Sequence, residues 1–528
     1  MTRPSARVPN ARFPRARRSS ASFSSNPLAV VLVASALAVS PCTLAQTWHL
    51  QPSLSAELTY TTNADLTSAQ RSDWVMQLTP TLVVNERTAH TSLAGTISAP
   101  ILLYARTSDN DQVQPLVNLS GTAELYPRVL FVDASAQVSR QFVSPFGPRP
   151  QNLASATNNR YTAQSYSVAP YTKGATADGL TYELRDTNTW SDATNVATTQ
   201  GVGSRAYTNE VAGNLTRPPT PLGWGMDYDR VDTQFTGEDA LITELARGRG
   251  LWQPDPQWQL SASAGYEDER YPLTHFSGAI YGGGVKWRPT ERTSIDADWE
   301  HRFFGSSYHV HFDHRTPLTV WSFVAFRDIT TYPQQLASLP GQGDVSNVLN
   351  GLFASRIIDP IARQVFVNQL IRDRGLPATL NGPISLFSQQ ITLQESLQGT
   401  LTLLGARNSV LITVFRTRSE PVESGALAIA DTLSTSQIDN TQTGTSAVWT
   451  HQLTSLFRLS VSADWVRSVA NDASGERSRQ VTLQSIISAP LSALTDVFAG
   501  ARYLKFNSNL QDDFDEKAVF VGINHRFH

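Results

Sequence analysis

Apolar and polar residues alternate one by one along most of this chain. In "QWQLSASAGYEDE", Trp258, Leu260, Ala262, Ala264 and Tyr266 share one face, and Gln259, Ser261, Ser263, Gly265 and Glu267 share the other. "TSIDADWEHRF" sets Ile295, Ala297 and Trp299 against Asp296, Asp298, Glu300 and Arg302. "LFRLSVSADWV" sets Phe457, Leu459, Val461, Ala463 and Trp465 against Arg458, Ser460, Ser462 and Asp464. A period of two is the mark of a strand with one apolar face. An aromatic near the end of each apolar stripe suits a lipid boundary, where aromatic girdles sit.

The connections carry a second pattern. Tight ones ("NERTAH", "LYPRVL", "QPDPQ", "RPTERT", "GARNS") largely alternate with longer polar ones ("TTNADLTSAQRSD", "SPFGPRPQNLASATNNR", "EPVESGALAIADTLSTSQIDN"). Short turns at one end and long loops at the other is the build of an outer-membrane barrel, and a soluble sandwich has no reason to keep it. The expected fold is an all-β, transmembrane antiparallel β-barrel of about 22 strands, with a range of roughly 18–24. An even number places both termini on the short-turn, periplasmic side.

The chain ends "DEKAVFVGINHRFH". Val519, Val521, Ile523, His525 and Phe527 alternate with Phe520, Gly522, Asn524 and Arg526, and no tail follows. Such a strand needs a partner. Ile523 and Phe527 are therefore the candidates for closing the barrel against its first strand, since closure removes both sheet edges.

Residues 328–389 break the alternation. In "DVSNVLNGLFASRI" the apolar positions follow helical spacing behind Asp344 as N-cap. "DPIARQVFVNQLIRDRG" offers Asp359 as N-cap, Pro360 at the first helical position and Gly375 as the stop. This predicts a two-helix insertion on the extracellular side, a plug or an extracellular lid. Leu349, Leu352, Phe353 and Ile357 form its apolar stripe, and Arg356, Arg363 and Arg372 are the charges that would face water or a polymer; these are the pore and gate candidates. The lumen candidates are Asp296, Asp298, Glu300, Arg302, Arg458 and Asp464.

Composition narrows the partners. Residues 1–45 hold six arginines and no acid, then "PLAVVLVASALAV", then Thr43-Leu44-Ala45. That is a secretory signal peptide with cleavage expected after Ala45, leaving 46–528 as one barrel domain. Cys42 is the only cysteine, so a disulfide-stapled extracellular module is excluded. A net charge of −3, deeper once the basic leader is gone, speaks against nucleic acid. "YHVHFDH" places His309, His311 and Asp313 on one strand face. A polar barrel wall explains them without a metal, and no cofactor or catalytic motif is expected. No plug-sized domain precedes the first strand, which argues against a TonB-dependent receptor.

Four stretches, "NLASATNNRYTAQSYSVAPYTKG", "RDITTYPQQLASLPG", "LFASRIIDPIARQVFVNQLIRDRGLP" and "LLGARNSVLITVFRTRSEP", closely resemble an uncharacterised family of outer-membrane β-barrel proteins associated with the PEP-CTERM/exosortase system. The resemblance runs over most of the mature chain. It implies an envelope role beside exopolysaccharide export: a channel or outer-membrane component for polysaccharide in a Gram-negative bacterium, with the barrel assembly machinery, exopolysaccharide and periplasmic export proteins as partners. It assigns no catalytic residue. A general diffusion porin, a non-conducting surface-matrix anchor and a barrel hydrolase are the alternatives.

Overall fold

The computed structural model describes residues 47–194, 205–236, 240–271, 274–338, 391–422 and 438–527, with positions 346, 349, 350, 353, 357, 362–364, 366, 367, 371 and 382–384 of the insertion. The signal-peptide reading falls outside the described residues. No helix among them is long and apolar enough to cross a membrane; this chain crosses with strands.

Twenty-four hydrogen-bonded segments form one sheet. Two barrel positions are each broken in two: Thr91–Ser98 with Ile101–Tyr104, and Gln112–Val113 with Leu116–Tyr126. The first break falls at Pro100, which has no N–H to give the ladder. The result is a closed antiparallel barrel of 22 strands. Each strand pairs with its sequence neighbours, and Thr47–Thr61 also pairs with Phe514–Arg526, from Ser53 opposite Arg526 to Thr61 opposite Ala518. The Phe527 N–H adds a bond to the Pro52 carbonyl at 2.9 Å. The edge of the last strand is thus the seam of the barrel.

Turns such as 88–90, 256–257, 291–292 and 405–407 mark one end, and loops 62–72, 143–159 and 331–391 mark the other. Two connections on the long-loop side are short, 271–274 and 303–304, so the asymmetry is a tendency of that end and not a rule for each loop. The insertion leaves after Thr330 and returns at Thr392, which moves its expected bounds of 328–389 later in the chain, by three residues at the start and two at the end.

The outer face is the apolar one. Trp258, Tyr266, Trp299, Trp321, Phe323, Val519, Val521 and Ile523 are exposed. Tyr60–Trp74 and Trp190–Tyr207 pair near the long-loop ends, and Trp258 stacks on Trp287 at 5.2 Å near the short turns. A soluble protein does not expose a continuous apolar belt rimmed by aromatics, while a barrel in lipid requires one. The chain is an outer-membrane barrel protein.

Facing is tested by neighbours. Ala262→Arg and Val461→Arg put a cation in lipid and are expected to cost about 2–4 kcal/mol near the midplane. Ser261→Arg and Ser460→Arg, one residue away, point into the lumen and are expected to be tolerated. Folded fraction by heat-modifiable gel migration, with denaturant titration in liposomes, reads the difference; equal tolerance at both members of a pair contradicts the facing.

Candidate functional site: a lumen filled from within

A barrel of this size encloses more space than wall side chains can fill. Its inner wall has two unlike halves. One half, from strand Thr181–Thr194 to strand Gly305–Arg315, is charged. Arg302 is buried and holds Glu267 at 2.8 Å, Asp328 at 2.7 Å and Glu269 at 3.4 Å. The Phe303 N–H donates to Glu267 and the Tyr271 hydroxyl to Glu269. Glu300 accepts from Ser263 at 3.0 Å and faces Arg247 at 3.3 Å. It reaches Ser263 across Gly282, where a Cβ would meet Glu300 Cγ at 2.6 Å. Asp296 lies 3.9 Å from Lys286, and Asp298 lies 4.0 Å from His309. All four lumen candidates of this strand thus lie on the face turned from lipid. His311 pairs with Asp313 at 2.6 Å. No cluster of three or more His, Cys, Asp and Glu that could hold a metal occurs among the described residues.

The other half, from strand Thr392–Leu404 to strand Arg477–Pro490, is neutral. Thr400, Thr402, Thr413, Thr417, Gln442, Ser446, Thr450, Ser468 and Gln480 point inward and are buried. Asp464 and Arg458 share the inward parity of strand Arg458–Ala470, Asp464 buried and Arg458 half-buried. An inward row of short hydroxyls is what water would line. Here it is covered by protein.

The insertion is the first cover. Thr331 and Gln334 form a capping box, with the Thr331 N–H donating to Gln334 Oε1 at 2.9 Å, and start a helix, Tyr332–Ser338. Tyr332 and Leu336 then pack on Tyr161 and Ala163, and the Tyr161 and Tyr332 hydroxyls bond at 3.0 Å. Strand Arg160–Ala175 and strand Thr319–Thr330 have eight strands between them one way round and twelve the other. The segment therefore crosses the mouth. Farther on, Leu349, Phe353 and Val367 are buried against Leu411 and Val448 of the neutral wall, with Val320, Phe366 and Ile371 around them. Val320, Leu411 and Val448 lie in the halves of their strands nearer the short turns, so the insertion descends into the barrel.

Among the gate candidates, Leu349 and Phe353 join this cluster. Ile357 is half-buried outside it. Arg363 is not left to face water as expected: it is half-buried and donates to the Ile357 carbonyl at 2.8 Å, which ties the two helical stretches together. Leu352, Arg356 and Arg372 lie outside the described residues. The apolar stripe of the second stretch, Phe366, Val367 and Ile371, supplies contacts that the first stripe alone could not.

The second cover has no periodic signal in the sequence. Loop 143–159, "VSPFGPRPQNLASATNN", turns into the lumen. Arg149 is 2% exposed and enters the neutral wall. Its guanidinium donates to Ser468 Oγ at 2.9 Å, to Gln442 Oε1 at 3.1 Å and to the Pro145 carbonyl at 2.8 Å. Its backbone N–H and carbonyl pair with the Gln480 amide, both at 2.8 Å. Gln442 Oε1 also accepts from the Ile384 N–H at 3.1 Å, and Arg149 reaches the Gly382 carbonyl at 3.4 Å. Burial pulls the Arg149 pKa down to about 9, so it is a cation at neutral pH held by neutral acceptors. Farther along, Ser155 donates to Glu516 at 2.9 Å, beside the buried Arg502–Glu516 pair.

On the charged half lies a cavity of about 490 Å³, lined among others by Arg185, Asp227, Asp229, Arg247, Arg249 and Asp328. That volume is within the range of small-molecule sites.

No family model matches the chain, and no curated protein is similar to it. Among solved structures it is similar to the FrpB iron transporter of Neisseria meningitidis, at 8% identity and TM-score 0.49 over 92% of this chain and 83% of that one. It is similar to the siderophore receptor PirA of Pseudomonas aeruginosa at 11% identity and TM-score 0.45, over 92% and 81%. OpdK of Pseudomonas aeruginosa, solved with vanillate, gives 7% identity and TM-score 0.33 over 90% and 99%. Each is a likeness at low identity, and none of their cargoes transfers with it.

Proposed function

We propose that this protein is a gated outer-membrane channel for a hydrated polar polymer, with exopolysaccharide as the cargo. The observation that carries the channel is the filling itself. Segments of two loops of the same chain enter the lumen and pack on its neutral wall, while a polar cavity lies along the other wall. The seat is also a poor one for apolar side chains. The hydroxyls of Thr402, Thr413 and Thr450 are buried without a hydrogen-bond partner among the described residues, close to Leu411 and Val448 of the apolar cluster. Each orphaned hydroxyl costs about 1–3 kcal/mol, and that cost is removed when the plug lifts and water enters. A wall made only to be a core would carry Val or Leu there. The polysaccharide cargo rests on the family resemblance of the four stretches and on the polar cavity, and the porin reading shares everything except that cargo.

The test is a clean chromosomal deletion scored for surface polysaccharide, complemented in trans. Loss of the extracellular polymer with accumulation in the periplasm is the expected result. Unchanged polymer at the surface, together with altered uptake of small solutes, would favour a general diffusion porin. The anchor reading is favoured by the tight burial of Leu349 and Val367, and it predicts polymer that is made and exported but shed.

A further inference from the structure

The two halves of the lumen differ in charge, and the charged half is not balanced. Each cation within it, away from the rim by the short turns, is already neutralised. Arg185 sits 2.8 Å from Asp133 and 3.1 Å from Glu183. Arg249 sits 2.6 Å from Asp227, and Arg247, Lys286 and Arg302 have the carboxylate partners given above. Arg302 answers three carboxylates at once and Arg185 two.

Besides Asp313, which His311 holds at 2.6 Å, three inward carboxylates remain. Among the described residues no Lys or Arg nitrogen lies within 4 Å of Glu210, Asp229 or Asp298, and the Asp298 side chain, 63% exposed, has only His309 at 4.0 Å. Arg288, Arg292 and Arg315 belong to this half but lie at its rim by the short turns, where bulk salt screens them most. The neutral half contributes hydroxyls and amides, with Asp464 and Arg458 as charges of opposite sign on one strand and Arg149 seated among its neutral acceptors.

We infer that ions crossing along this wall are selected for positive charge, with Asp229 in the cavity and Glu210 and Asp298 on the same wall setting the preference. The inference rests on the channel reading. Fixed charges of one sign in a narrow path with low-dielectric walls concentrate counter-ions and exclude co-ions. The paired residues form dipoles whose fields cancel within a few ångströms; the three unanswered carboxylates leave a field that reaches across the path. An anionic polymer would meet that same field as a barrier, so neutral or cationic chains fit the wall better.

The measurement is the reversal potential of the full-length protein in planar bilayers under a KCl gradient centred near 0.1 M, where the screening length is about 10 Å. The Arg149→Met variant is recorded beside it, to ensure an open state. A K⁺ over Cl⁻ permeability ratio severalfold above one is expected. It should fall to near one in Glu210→Gln/Asp229→Asn/Asp298→Asn, and partway in Asp298→Asn alone, while Asp298→Glu keeps it. Heat-modifiable migration confirms that each variant is folded. A parent ratio at or below one overturns the inference and leaves the channel standing, as does a ratio that the triple and single variants leave unmoved. Silence in both the parent and Arg149→Met overturns the channel reading and this inference with it.

Discussion

Removing residues Gly341 to Pro377 and joining the ends with a short Gly/Ser linker is expected to leave a folded barrel that conducts far more than the parent. The deleted stretch contains Leu349, Phe353, Val367 and Ile371, the side chains that cover Leu411 and Val448. It makes no contribution to the ladders, which run through the 22 strands and close between Thr47–Thr61 and Phe514–Arg526. The loss is the burial of the cluster, about 1.5–3 kcal/mol for each large side chain. The offset is hydration of Thr402, Thr413 and Thr450. Single-channel conductance in planar bilayers and sensitivity of cells to large antibiotics are the readouts. A deleted protein that folds normally and conducts no better than the parent shows that the insertion is not the gate, and the anchor reading then takes first place.

How much of this was legible in the sequence depends on the range of each interaction. A strand's facing is written locally, because every second residue meets the same solvent. The outward row Trp258 to Tyr266 and the inward row Asp296 to Arg302 can be read without knowing any partner. The closing strand can be read for the same reason. The helix Tyr332–Ser338 was readable in principle: Thr331, Pro333 and Gln334 give the capping box and an early proline. It is only seven residues long, too short for a periodic signal. Loop 143–159 is another case. Arg149 meets Gln442, Ser468 and Gln480, whose nearest is 293 positions away, and nothing local marks an arginine for burial. The division of the wall into charged and neutral halves lies between these. Each strand shows its own polar residues, but the halves appear only when strands far apart in sequence are set side by side.

Arg149→Met is expected to loosen both covers at once while leaving the barrel closed. Arg149 is where the two inward segments meet: it holds the wall at Ser468 and Gln480, and it shares Gln442 with the returning end of the insertion through Gly382 and Ile384. Methionine fills much of the volume and keeps the backbone pair with Gln480, but the Pro145, Ser468 and Gly382 oxygens lose a donor. Hydrogen bonds from a charged group are worth about 1.5–3 kcal/mol each. Relief from burying a cation beside neutral acceptors offsets part of that, leaving a net loss of about 2–4 kcal/mol at this junction. In bilayers this should appear as frequent brief openings in place of long closed periods, and in cells as partial sensitivity to large antibiotics, below that of the insertion deletion. Arg149→Lys retains a charge but not the planar fork that spans four acceptors, so it should fall between parent and methionine. The contrast is Arg71→Met on loop 62–72, where an exposed arginine pairs with Asp65 at 2.5 Å; such a pair is worth little, and gating should not change. If Arg149→Met and Arg71→Met give the same closed-time distribution, Arg149 is a packing residue of one loop and the two covers move independently.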